Sequence, residues 1–259
     1  TFEPHPRRLF QPDAPPFRLT PLRAKAREIR DLGVDAMIVR RFDRAFSMRT
    51  AEAFVTEVLV KGIGASHVVA GYDFVFGHKR QGNCQLLLAM GKAHGFGFTA
   101  VNAVQDPSAQ VYSSTRVRER LLAGDPKGAQ AILGRPFEIE GRVAMGDRRG
   151  RTIGFPTANL RLGPYLRPAG GVYAVRASAD DGGAWLDGVA NLGQRPTFGG
   201  TDLLLETFLF DFSGDLYGRR LRVRLVDYLR PEKKFDGIDE LKAQIAADSQ
   251  KARRILAAA

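Results

Sequence analysis

Cysteine is almost absent from these 259 residues: Cys84 stands alone, so no disulfide can form within the chain and no thiolate cluster can hold a metal. That usage fits a reducing, cytoplasmic compartment. Long apolar runs are missing too. None approaches the roughly eighteen residues a spanning helix needs, and the opening residues do not read as a basic-then-apolar leader, so no membrane partner is expected. The chain also lacks blocks of about five or six like charges, zinc-finger spacings and basic stretches interleaved with aromatics. The net charge of +11 therefore carries no nucleic-acid signature, and phosphorylated small molecules satisfy it equally well.

What is present is ordinary globular material, 44% hydrophobic and 26% charged, in a length that suits two domains. The first half alternates helical and strand patterns. Thr20 and Pro21 open a helix with Leu22, Ala26, Ile29 and Leu32 on one face, stopped by Gly33, and Asp35 to Arg40 reads as a short buried strand. Thr50 caps a helix to about Lys61, followed by a strand at His67 to Gly71. A helix at Gln85 to His94 and a strand at Phe98 to Val104 make the next cycle. Helices at Ser114 to Ala123 and Pro126 to Leu133 close this half, which predicts a parallel, doubly wound sheet. From Gly134 apolar alternation with Gly and Pro punctuation takes over, predicting an antiparallel β-barrel, and Ile238 to Ala259 returns to helical period. The expected domains are 1–133 and 134–259.

Two segments carry chemistry. Gly146 to Leu160 (GDRRGRTIGFPTANL) packs glycines and arginines into a turn before a strand, able to aim backbone N–H groups and guanidiniums at a phosphate chain. Pro156 holds Phe155 extended, so Thr157 and Asn159 face one side and can offer a hydroxyl and an amide oxygen to a nucleotide-bound Mg²⁺. A solvated hairpin tip is the plain alternative for the glycine-arginine turn taken alone. The second is Glu206 in LLLETFLF, whose carboxylate either meets solvent or lines an interior pocket; in a pocket it suits a general base for phosphoryl transfer.

At these residues a family becomes visible. GRPFEIEGRVAMGDRRGRTIGFPTANL, GVYAV, GVANLGQRPTF, LETFLFDFSGDLYGRRLRV and YLRPEKKFDGIDELKAQIAADSQKAR resemble, in order and spacing, the riboflavin kinase module. TFEPHPRRLF, GYDFVFGHKRQGN and YSSTRVRERLLAGD resemble the FMN adenylyltransferase module of the bacterial bifunctional FAD synthetases. The resemblance implies an α/β nucleotidyltransferase-like, Rossmann-like first domain and a kinase barrel with a C-terminal helix. It implies ATP, Mg²⁺ and the flavins riboflavin, FMN and FAD as cofactors, substrates or products.

By the same resemblance Thr157 and Asn159 hold Mg²⁺ and nucleotide phosphates. Gly146, Arg148, Gly150, Arg151, Gly154 and Pro156 cover the nucleotide, and Glu206 activates the ribityl 5′-hydroxyl. In the first half Gly71, Asp73 and Gly77 form the nucleotide turn, and Ser113, Ser114, Thr115 and Arg118 open a helix toward ATP phosphates. A helix N-terminus with an arginine one turn in suits that task, although Ser and Thr also cap helices generally. Arg230 is nominated as a flavin contact, a surface ion pair being the alternative, and flavin is expected between the barrel mouth and the segment from Arg230 to the C-terminal helix. A flavin- or nucleotide-binding sensor without catalysis is the competing functional reading, and oligomerisation is left open.

One departure stands out: the resembled adenylyltransferase module opens with a strand and a His-x-Gly-His motif, and none of His5, His67, His78 and His94 forms that pattern. Thr1 reads like the end of a strand already under way. The expectation is a chain shortened at its N-terminus, or one whose FAD synthesis is lost, with a sheet neighbour left exposed in this half.

Overall fold

The computed structural model describes residues 1–145, 155–179, 183–197 and 200–259, the side chains of 195–197 and 200–202 excepted. The chain packs as two units, Thr1–Ala14 with Glu28–Tyr112 and Pro15–Arg27 with Ser113–Ala259. The division falls inside α2 (Leu22–Asp31).

Unit one holds β1 (Phe2–Glu3), α1 (Pro6–Phe10), β2 (Arg40–Arg41), α3 (Arg44–Ser47), α4 (Ala51–Ala53), β3 (His67–Gly71), α5 (Cys84–His94) and β4 (Gly97–Val101). Both strand pairs, β1 with β2 and β3 with β4, are parallel. Asn83 caps α5 by accepting from Leu86 N–H, and Gly95 closes it with φ +79°. Thr50 caps α4 as expected, accepting from Ala53 N–H, but the helix widens at once into a π-helix over Phe54–Ile63, which Gly64 ends with φ +70°. Ala51, Val55, Phe76, Leu87 and Phe96 form the core.

The strand expected at Asp35 to Arg40 is a correction. Only Arg40 and Arg41 join a ladder, both exposed, pairing with Phe2 and Glu3 of β1. Ile38 and Val39 consequently remain 47% and 41% exposed rather than buried. The strand expected to Val104 likewise stops at Val101, opposite the end of β3.

Unit two is built on one antiparallel sheet in the order β5-β10-β7-β8-β9-β6. Its strands are β5 (Phe137–Arg142), β6 (Ala158–Arg161), β7 (Gly171–Ala179), β8 (Leu186–Thr197), β9 (Gly200–Leu209) and β10 (Arg220–Arg230). The sheet curls until Ala144, just past β5, donates its N–H to Asn159 O on β6 at 2.9 Å, so the barrel is nearly closed. Alternate residues fill its interior: Phe137 and Ile139, Leu160, Val175 and Ala177, Leu192, Leu205, and Leu221, Val223 and Leu225. Val117 and Leu121 of α6 (Ser114–Leu122) and Ala129 of α7 (Pro126–Leu133) join the same core. That burial is why these helices pack with the barrel.

The outer face of β7, β8 and β10 is covered by α8 (Ile238–Ala257), whose Ala252 and Leu256 meet Val172, Ala174, Val189, Val226 and Leu229. Among the described residues no helix is long and apolar enough to cross a membrane.

Candidate functional site

Register places the site. The β8–β9 ladder sets Asn191 opposite Glu206, and the β6–β9 ladder sets Asn159 opposite the same Glu206. Residues directly opposed across adjacent strands share one face of a sheet. Three polar side chains therefore stand in a transverse row over β6, β9 and β8, beside the seam where Ala144 closes the barrel.

Leu205 and Thr207, the neighbours of Glu206, are 0% and 1% exposed, and Leu205 belongs to the interior core. Glu206 thus projects from the outer face, half-buried. The interior pocket considered from sequence is corrected here: packed aliphatic and aromatic side chains occupy the barrel interior, and the polar row lies outside it.

Asn159 is 8% exposed, and its Oδ1 has no hydrogen-bond partner among the described residues. A buried carbonyl oxygen left without a donor costs about 1–3 kcal/mol, so the site calls for an electropositive group beside Glu206. Mg²⁺ suits it: a hard cation that keeps waters and phosphate oxygens needs few protein ligands. Among the described residues no cluster of three or more His, Cys, Asp or Glu could hold a metal, and Asn159 and the half-buried Thr157 lie two residues apart at this place. The approach to Thr157 is anchored by Phe155, whose ring meets Phe208 edge-on at 5.2 Å, two residues from Glu206 on β9. Pro156 lies between those points, while Gly146, Arg148, Gly150, Arg151 and Gly154 fall outside the described residues.

Arg230 makes an ion pair, the alternative weighed beside a flavin contact. Its Nε and Nη2 donate to Asp248 at 3.0 and 2.8 Å, and Nη1 donates to Pro231 O at 2.9 Å. Asp248 is 5% exposed on α8, so this fork clamps the helix to β10.

Two residues the sequence reading passed over complete the row. Asn191 Nδ2 donates to Glu232 Oε1 at 3.2 Å, and Glu232 lies flat on β8 because Gly193 has no side chain there. A Cβ at Gly193 would stand 2.1 Å from that oxygen. Nearby Tyr228 donates its hydroxyl to Gly170 O at 2.9 Å, and its pKa is raised, by burial first, with Glu232 adding to the rise against the lowering effect of Arg230. Asn191 carried no signal in the sequence, because the β8–β9 register alone sets it opposite Glu206. Glu232 had none, since its place depends on how the chain turns after β10.

The residues assigned to the first-half nucleotide site stand as follows. Gly71 ends β3 beside Asp73, and a Cβ on it would lie 3.1 Å from Asp73 Oδ1. Gly77 has φ +75°, and a Cβ there would lie 2.6 Å from Ala51 Cα, so glycine is required. Both belong to unit one. In unit two Ser113 caps α6 by accepting from Arg116 N–H, with Ser114 and Thr115 in the first turn. Arg118 donates from Nε to Phe17 O at 2.9 Å and stacks over the Phe17 ring, which ties the segment Pro15–Arg27 to α6.

Comparison with known proteins decides the family. The riboflavin kinase family matches residues 133–256 and the FAD synthetase family residues 1–116. The bifunctional riboflavin kinase/FMN adenylyltransferase of Escherichia coli K12 is 44% identical over 252 residues, 97% of this chain and 80% of that protein. The chain belongs to this family. The Bacillus subtilis member is 38% identical over 261 residues, covering 98% of this chain and 80% of its own length. A solved structure from Streptococcus pneumoniae described as a macrolide-efflux protein superposes with a TM-score of 0.83 at 32% identity, over 98% of this chain and 82% of that one. That likeness extends the shared fold across both units.

Proposed function

We propose that the chain phosphorylates riboflavin to FMN with Mg-ATP at the outer face of the barrel, and that its first half serves adenylylation of FMN to FAD. Family membership supports both activities. The observation that carries the kinase assignment is the Asn159–Glu206 pair: a buried amide oxygen without a donor, one strand away from a carboxylate. We place the functional boundary at 133/134, and the nucleotide roles of Gly146, Arg148, Gly150, Arg151, Gly154 and Pro156 belong to the proposal, as do those of Gly71, Asp73, Gly77, Ser113, Ser114, Thr115 and Arg118.

Thr157 and Asn159 would hold Mg²⁺, which when bound neutralises charge on the transferring phosphate. Glu206 accepts the proton of the riboflavin 5′-hydroxyl. The freed oxygen attacks the γ-phosphorus in line, the bond from that phosphorus to the bridging oxygen breaks, and ADP leaves. Because Glu206 is outside the barrel, the acceptor approaches across the sheet surface toward the segment that follows β10.

Steady-state formation of FMN from riboflavin and ATP tests the kinase assignment. FMN production is expected, whereas flavin binding without product would favour the sensor reading, which no observation here supports. FAD and pyrophosphate formation from FMN and ATP tests the second activity.

A further inference from the structure

The row over the sheet does not end at the general base. Asn159 stands at one end, Glu206 in the middle and Asn191 at the other, with Glu232 beyond it on the bare backbone of Gly193. Glu232 is a carboxylate in a chain of net charge +11, yet among the described residues no cation pairs with it. The basic residues on either side are used elsewhere, Arg230 by Asp248 and Lys233 by Glu240. An exposed glutamate seated on a glycine, hydrogen-bonded to an asparagine beside the base and left open to solvent, is built to receive hydrogen-bond donors.

In-line transfer dictates which donors. The phosphoryl group arrives from the Asn159 side, so the rest of the acceptor must extend from Glu206 the opposite way, over Asn191. Adjacent strands lie about 4.8 Å apart, a distance the ribityl chain beyond its 5′ oxygen readily spans. Asn191 commits Nδ2 to Glu232, which leaves its Oδ1 as an acceptor, and Glu232 adds further acceptor oxygens. We propose that Asn191 and Glu232 form the acceptor-polyol subsite, reading the secondary hydroxyls of the flavin side chain and so selecting a polyol-bearing flavin over the bare ring. This rests on the riboflavin kinase reading above.

The test compares riboflavin with lumiflavin, which has a methyl group in place of the polyol, by fluorescence titration of wild type, Glu232→Ala, Glu232→Gln and Gly193→Ala. Gly193→Ala reaches the same subsite indirectly, by pushing the Glu232 carboxylate off β8. Each variant should weaken riboflavin binding, by about tenfold or more for Glu232→Ala, while lumiflavin affinity and the KM for ATP stay unchanged. In turnover the loss should appear in the riboflavin KM with kcat within about threefold of wild type. Equal loss of both flavins would overturn the proposal in favour of a ring contact or a structural role, and unchanged riboflavin affinity would overturn it outright. The titration needs no turnover, so absence of FMN formation by wild type would count against the kinase reading while the polyol subsite is still decided by the two flavins.

Discussion

Glu206 and Asn159 face each other across β9 and β6, and among the described residues the buried amide oxygen of Asn159 has no donor. Glu206→Gln preserves size but cannot take a proton, so under the proposed mechanism kcat should fall by about 10² or more while nucleotide affinity is retained. Single-turnover kinetics with equilibrium nucleotide binding checks this, and unchanged turnover would take Glu206 out of the base role. Asn159→Leu removes an unsatisfied polar group from a buried position. In the absence of Mg²⁺ the variant should be no less stable than wild type in urea, gaining up to about 1 kcal/mol, whereas FMN formation should drop at least tenfold and need more Mg²⁺. A large loss of stability in that variant would show that the amide has a protein partner after all. Thr157, Asn159 and Glu206 were readable as candidates because Thr, Asn and Glu oxygens in short motifs suggest their chemistry. Their common row was not, because it is set by ladder register.

At the level of elements, α8 is held by the Arg230–Asp248 fork as well as by Ala252 and Leu256. Asp248 is buried and Arg230 only partly exposed, so Asp248→Ala strands a guanidinium and should cost about 3 kcal/mol in urea unfolding. Replacing both partners by apolar residues, Arg230→Met with Asp248→Leu, should recover most of that loss, since a well-packed apolar pair substitutes for a buried ion pair at little cost. If the double variant is as unstable as the single one, the fork contributes something besides charge pairing. The helix itself was legible from its apolar period. Its clamp was not: an arginine at the end of a strand looks the same in sequence whether it meets a substrate or a helix.

At the scale of unit two, a charged network joins α2 to the barrel. Arg27 reaches both Glu138 and Glu140, while Arg222 and Arg224 donate to Glu138 at 2.8 and 3.2 Å, and Arg224 lies 3.6 Å over the Trp185 ring. Burial acts to raise the Glu138 pKa, but the Arg222 hydrogen bonds and the Arg27 charge outweigh it and hold the carboxyl below its ordinary value. A depressed native pKa means that the stabilisation is complete above the unfolded carboxylate pKa, about 4.3, and is lost as pH falls through the lower native value. Urea unfolding should therefore show stability level near neutrality and declining below about pH 4. Glu138→Gln should lower the neutral plateau by about 3 kcal/mol and flatten the acid limb; an acid limb as steep as wild type would assign it to other carboxylates.

Local rules settle the elements wherever a single period governs. Asn83, Thr50 and Ser113 cap helices, Gly64 and Gly95 end them, and the alternation in FEIEGR and LRVRLV sends Phe137, Ile139, Leu221 and Val223 inward. Two-domain organisation, a parallel first half and an antiparallel barrel follow from those periods alone. They fail where a strand needs a partner: Asp35 to Val39 is apolar enough for a strand, yet pairing is decided by residues distant in sequence, and only Arg40 and Arg41 pair with β1. Tertiary structure alone decided that Glu206 faces outward, that Asn159 and Asn191 flank it, that Arg230 belongs to Asp248 and that Glu232 rests on Gly193. The physical reason is reach: periodicity and capping act within a few residues, whereas register, barrel closure and the close approach of a carboxylate to a glycine join residues far apart in sequence, and only the packed chain specifies them.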